Sequence, residues 1–233
     1  MELGIGKLLR TMLPVQFRVL LAQSLSGGNI HFSQDAEDII LEKWFSAKKN
    51  GFYVDVGAHH PVRFSNTYKY YCKGWSGINI DAMPGIMKLF DKIRPNDTNV
   101  ETPISNNEEE LNFYIFDESA LNTFSEEEAE KSKPKYKVVN IQKLKTKKLS
   151  EILDKHCSNN QKIDFFSIDT EGFDLKVLQS NNWDKYKPTI LIIEFIDKKL
   201  LNILDSAIHR YIIALGYLLV AKTNNSAFYE INK

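Results

Sequence analysis

The chain has 233 residues, 43% of them hydrophobic and 26% charged, which suits one α/β domain with a substantial core. Its 30 basic and 30 acidic side chains cancel, so no overall field selects nucleic acid or a membrane as partner. The two cysteines, Cys72 and Cys157, lie far apart and outside any metal-ligand spacing, which excludes a disulfide framework.

Residues 1–30 form an N-terminal helical extension in this reading. Leu3, Ile5, Leu8, Leu9, Met12 and Leu13 precede a break at Pro14, and Phe17, Val19, Leu20 and Leu21 continue to Ser26-Gly27-Gly28. Lys7, Arg10 and Arg18 make the segment mildly basic. It is expected to cap the core or contact a second copy in a homo-oligomer, with association at a membrane surface as the alternative. With no signal-peptide pattern and no bilayer-length apolar run, the expected location is the cytoplasm.

Residues 31–233 are expected to form the main domain. Ser33 is placed to N-cap a helix carrying Ile39, Ile40, Trp44 and Phe45 at helical spacing. Residues 52–60, Phe-Tyr-Val-Asp-Val-Gly-Ala-His-His, predict a strand ending in an acid and a close backbone turn at Gly57-Ala58. A second strand, Gly77–Asp81, ends in another acid 26 residues after Asp55, one strand–helix–strand unit on, with Ser65-Asn66-Thr67 capping the helix between. Pro84 to about Ile93 reads as a helix, stopped by Arg94-Pro95-Asn96-Asp97, and Asn99–Glu101 as a third strand leading to Pro103-Ile104-Ser105. Leu111–Phe116 and Tyr136–Ile141 read as strands inserted before the fourth core strand. This segment carries nine acids and no base over 106–130, then eight lysines and no acid over 131–148. The runs are read as solvated faces that neutralise each other, or as a lid that recognises an acceptor.

Ser150 is expected to cap a helix near 150–157. Strand four, Ile163–Ile168, ends in Asp169-Thr170-Glu171-Gly172, and strand five, Thr189–Glu194, is nearly continuous apolar sequence, as burial on both faces requires. A long helix over 200–215 closes at Gly216, and Tyr217–Ala221 with Ala227–Ile231 makes a final hairpin. In an open α/β sheet, ligands bind at the carboxyl ends of the strands. Asp81 is placed to accept two hydrogen bonds from a ribose diol. The dinucleotide pattern G-x-G-x-x-G is missing, since the next glycine after Gly57 is Gly74, so an adenosyl ligand without phosphates fits better than a pyrophosphate.

The ordered set Phe32–Asp38, Gly51–Ala58, Ser65-Asn66-Thr67, Gly74–Ile78, Asp164–Gly172 and Ile192-Ile193-Glu194 resembles the FkbM family, from about residue 32 to 230. The resemblance implies an S-adenosylmethionine-dependent methyltransferase of the Rossmann-like class I type. Such a fold has a mostly parallel seven-stranded sheet with helices on both faces and a reversed last strand. It places Gln34, Asp55, Gly57, Ala58, Asp81, Ala82, Ser105 and Asp169 at the cofactor, with Asp38 close by, and it implies a sugar hydroxyl of a glycan or glycosylated metabolite as acceptor. Asp81 stands where the family usually has glutamate, and His59 where it often has Asn.

A hydroxyl acceptor must lose a proton, and a carboxylate or histidine near the methyl group can take it. Asp169 or Glu171 is the first choice for that base, with His60 or His59 second, and Glu194 completes the catalytic set. The same three acids, Asp169, Glu171 and Glu194, suit Mg²⁺ as an alternative, through oxygen ligands. A nitrogen or carboxylate acceptor, or a module that binds cofactor or partner without turnover, are the alternative functions.

Overall fold

The computed structural model describes residues 29–158, 160–195 and 199–232. The helices expected within 1–28, and with them the membrane-surface reading, lie outside the described residues. Among the described residues, no helix is long and apolar enough to cross a membrane.

The chain begins with two short helices, α1 (Glu37–Ile40) and α2 (Glu42–Phe45). The cofactor half follows: β1 (Phe52–Val56), α3 (Tyr68–Cys72), β2 (Ser76–Asp81), α4 (Met87–Ile93) and β3 (Thr98–Glu101). The insertion contains β4 (Glu110–Phe116), a 3₁₀ turn over Ser119–Leu121, α5 (Glu126–Ser132) and β5 (Val138–Lys145). Next come α6 (Leu149–His156), β6 (Phe165–Ile168), α7 (Asp174–Gln179) and β7 (Ile190–Glu194). The last elements are α8 (Leu200–Leu204), α9 (Ala207–Ala214), β8 (Tyr217–Lys222) and β9 (Ser226–Ile231).

Seven strands form one sheet in the order β3-β2-β1-β6-β7-β9-β8. The pairs from β3 through β7 are parallel, and β9 runs antiparallel to both β7 and β8. This is the Rossmann-like, mostly parallel sheet with one reversed strand that the sequence leads one to expect. Strand side chains alternate between faces, so the sheet separates two cores. On one face Val54, Val56, Ile78, Ile80, Phe166, Ile168, Leu191 and Ile193 pack against Leu149, Ile152 and Leu153 of α6 and Val177 and Leu178 of α7. On the other, Tyr53, Phe165, Ile190, Ile192 and Phe228 meet Leu41, Phe45, Tyr70 and Trp75. Helices thus cover both faces, and no strand of the central five needs a polar side.

Three local expectations change. Ser33 is not the N-cap residue, since α1 starts at Glu37 after Ala36 in a left-handed turn, but its hydroxyl still accepts from the first-turn Asp38 N–H at 3.3 Å and donates to the Asp38 carboxylate at 2.9 Å. The cap of α6 comes from a distant residue, Ser180, whose hydroxyl oxygen accepts from Leu149 N–H at 3.0 Å, rather than from Ser150. The helix over 200–215 is two helices, because Ser206 stops the first and caps the second by accepting from His209 N–H. The inserted strands lie outside the seven-stranded sheet, as expected, and β4 and β5 form their own antiparallel pair.

Candidate active site

Strand register alone brings the acids to one edge. Val56 of β1 stands opposite both Ile80 and Ile168, and Ile168 stands opposite Ile193. The next residue of each chain, Gly57, Asp81, Asp169 and Glu194, therefore emerges at the same carboxyl edge. Gly57 is needed there for its shape. It has φ +79°, and a Cβ on it would lie 1.7 Å from the Asp169 carbonyl oxygen.

The turn after β1 is tied to β2. The N–H groups of Gly57 and Ala58 both donate to the Ile80 carbonyl, at 2.9 and 3.1 Å. They are occupied, and so do not form a phosphate cradle of the kind G-x-G-x-x-G provides. Asp81 accepts from His59 N–H at 2.8 Å with one carboxylate oxygen and from Met83 N–H at 2.7 Å with the other. Burial raises its pKa, those two donors lower it, and Asp55 and Glu101 raise it further. Each oxygen keeps a lone pair for a ligand hydroxyl.

Asp55 points into a buried polar network rather than standing free. It accepts from the Thr67 hydroxyl at 2.7 Å, and Arg94 lies near enough to oppose the rise in pKa that burial causes. Arg94 is fully buried and donates to Asp97, to the Thr67 hydroxyl and to the Tyr53 hydroxyl at 2.8, 3.0 and 2.8 Å. The sequence gives Arg94 only as a helix stop. A charged residue followed three positions later by an acid is the signal that could have found this pair.

Asp169, Glu171 and Glu194 each offer a carboxylate oxygen, and these atoms lie within 4.8 Å of one another. Burial raises the pKa of all three and Asp174 raises each further; Asp169 adds to Glu171 and Glu194, while a hydrogen bond from Glu194 lowers Asp169. Protonated Glu194 hydrogen-bonds to Asp169, while its Oε2 is buried without a partner. Glu171 sits in a left-handed turn, φ +49°, with its carbonyl accepting from the Thr123 hydroxyl at 2.6 Å. The insertion is thereby fastened to the turn that carries the acids.

These groups open onto a cleft of about 1080 Å³, open solvent at its mouth included. Gln34, Asp55, Gly57, Ala58, Asp81, Ala82, Asp169 and Glu171 all line it. Glu194 lines a small side cavity that shares Gln34, Asn66 and Asp169 with the cleft. Ser105 does not reach it: it is fully buried, its N–H donates to the Lys147 carbonyl, and Thr102, Pro103 and Ile104 line the wall instead. Asp38 is also absent from the lining, since it is buried and receives Phe32 N–H and the Ser33 hydroxyl. His60 is a turn residue whose Nδ1 accepts from Val62 and Arg63 N–H, at 3.0 and 2.9 Å. His59 lines the cleft in its place.

The insertion supplies part of the wall. Phe113, Ser119, Ala120, Asn122 and Phe124 all face the cleft, and Phe124 stands between Phe113 and Phe173 with ring centroids 4.6 and 5.7 Å away. The opposite charge runs pair locally on its outside. Lys131 meets Glu127 and Glu128, and Lys133 meets Glu130.

A search of curated protein sequences gives no match. Among solved structures, one described as that of a "putative O-methyltransferase from Klebsiella pneumoniae" aligns over 98% of this chain and 96% of its own, with a TM-score of 0.40 and 10% identity. So loose a likeness carries no functional argument. The model of the methyltransferase FkbM domain matches residues 55–219, from the acid of β1 into β8, and the chain belongs to the FkbM methyltransferase family.

Proposed function

We propose that this protein is an S-adenosylmethionine-dependent O-methyltransferase whose acceptor is a sugar hydroxyl, in a glycan or a glycosylated metabolite. The observation that carries the cofactor is the pairing of Asp81 with the closed turn beside it. A half-buried acid with free lone pairs lines the cleft, while the neighbouring N–H groups that would cradle a pyrophosphate are bonded to Ile80. The residues present fit an adenosyl sulfonium without phosphates.

In this reading Asp81 holds the ribose hydroxyls, and Ala82, Met83, Ile86, Thr102, Pro103 and Ile104 flank the base. Gln34, Asp55, Gly57, Ala58 and Asp169 surround the methionine end. Bound there, S-adenosylmethionine supplies an electrophilic methyl group on sulfur. The protein's task is then to hold an acceptor oxygen in line with that group and to accept its proton. The aromatic group Phe113, Phe124 and Phe173 offers apolar faces suited to the C–H surfaces of a sugar ring, and Glu171 and Asp169 offer hydrogen-bonding partners for its hydroxyls.

Calorimetric titration with S-adenosylmethionine, followed by transfer of a labelled methyl group to a panel of p-nitrophenyl glycosides, amines and carboxylic acids, tests the reading. Saturable binding and label in an ether are expected. Absence of binding overturns the cofactor assignment; label confined to an amine or an ester overturns the hydroxyl.

A further inference from the structure

We propose that His59 is the catalytic base: its Nε2, buried in the cleft and without a hydrogen-bond partner, takes the proton of the acceptor hydroxyl. The inference rests on the hydroxyl-methyltransferase reading above and moves the proton acceptor from the carboxylates to this ring.

Buried side-chain nitrogens in folded proteins almost always have a partner. His59 Nε2 has none among the described residues, and the ring lines the cleft. The residue is fixed at both ends. Its N–H is held by Asp81 at 2.8 Å, and its ring lies 21° from the plane of Phe64 with centroids 6.5 Å apart. Its backbone is left-handed, φ +52°, a conformation that histidine adopts more readily than most side chains and that functional sites often retain.

The surroundings keep the ring neutral. Burial is the largest influence and lowers its pKa, Arg63 and His60 lower it further, and Glu118 from the insertion opposes them. A neutral imidazole whose Nε2 has no partner can accept a proton once an acceptor hydroxyl reaches it. Burial and neighbouring acids keep protons on Glu171 and Glu194, and Asp169, raised to about 7, already takes a hydrogen bond from Glu194. His60 is unsuited, since its Nδ1 already accepts two backbone donors.

The step balances simply. The acceptor O–H bond breaks and its proton goes to His59 Nε2. The oxygen's electron pair forms the new O–CH₃ bond, and the pair of the breaking S–CH₃ bond stays on sulfur. The imidazolium then returns its proton to solvent through the cleft mouth.

The test is ¹⁵N-histidine NMR of the full chain, with His59→Asn assigning the signal. Asparagine tolerates the left-handed backbone, so the exchange preserves the turn. At about pH 7.5 His59 is expected as the Nδ1–H tautomer with unprotonated Nε2, titrating below the ordinary value of about 6.5, and its signal is expected to shift when S-adenosylhomocysteine binds. His59→Asn is expected to bind S-adenosylhomocysteine as the wild type does. On any glycoside that the wild type methylates, it should lose about 10²–10⁴-fold in kcat, and imidazole should restore part of that in His59→Gly. A protonated Nε2 at neutral pH, or a His59 signal indifferent to the ligand, overturns the proposal even if no glycoside is turned over. Failure of the wild type to bind S-adenosylhomocysteine would instead remove the functional reading beneath it.

Discussion

Asp81 shows how one carboxylate can serve the fold and a ligand together. Its two oxygens organise the backbone at His59 and Met83, and their remaining lone pairs face the cleft. Replacing it by alanine removes both roles. Hydrogen bonds to a charged acceptor contribute about 1.5–3 kcal/mol each, so Asp81→Ala is expected to weaken S-adenosylmethionine binding by more than about a hundredfold, as calorimetry would read, and to lower Tm as the turn loosens. Normal affinity in a folded Asp81→Ala protein would refute the ribose assignment. Asp169 differs, because its neighbours crowd it with negative charge and leave it sharing protons with Glu194. The hydrogen bond between Glu194 and Asp169 uses oxygens that a cation would otherwise take. Dialysis against EDTA is therefore expected to leave both methyl transfer and Tm unchanged; loss of activity restored by Mg²⁺ would show that the three acids hold a cation.

At the scale of elements, the central strands are legible in the sequence because burial on both faces leaves only one reading of runs such as Phe165–Ile168 and Ile190–Glu194. The edge of the sheet that carries the acids follows from the same runs, since each acid directly follows or ends its strand. What the sequence does not disclose is decided by contacts between distant residues. The cap on α6 comes from Ser180, Arg94 finds Asp97, Thr67 and Tyr53 only once the chain has folded, and His59 and His60 differ solely in where the turn sends their rings. The β4–β5 insertion was readable as two strands, but its place as a cleft wall depends on Thr123 reaching the Glu171 carbonyl. If that wall contacts the acceptor and not the cofactor, Phe124→Ala should raise KM for the acceptor about tenfold or more. It should leave affinity for S-adenosylhomocysteine unchanged. A parallel loss of cofactor affinity would place Phe124 at the other end of the cleft.

For the whole molecule, the crowded acids should govern how stability changes with pH. Burial and neighbouring acids, Asp174 chief among them for Asp169 and Asp169 itself for Glu171, raise Asp169 from 3.8 to about 7 and Glu171 from 4.5 to about 9. In the unfolded chain both lose their protons near the ordinary values, whereas the folded chain keeps them longer. Between those limits the folded state binds more protons than the unfolded one, and stability falls as pH rises. The contribution is complete below about pH 4 and lost once pH passes the folded values. His59 works in the opposite sense near its ordinary pKa of 6.5, because its folded value is lowered, but it is one group against several carboxyls. Differential scanning fluorimetry from about pH 6 to 9 is thus expected to show a steady decline in Tm for the wild type. The double variant Asp169→Asn, Glu171→Gln cannot ionise at these positions, so its curve should be flatter and should lie above the wild type at the alkaline end. A variant curve parallel to the wild type would mean that the acids are not held in their protonated forms by the fold. The proton acceptor would then have to be sought again among the carboxylates.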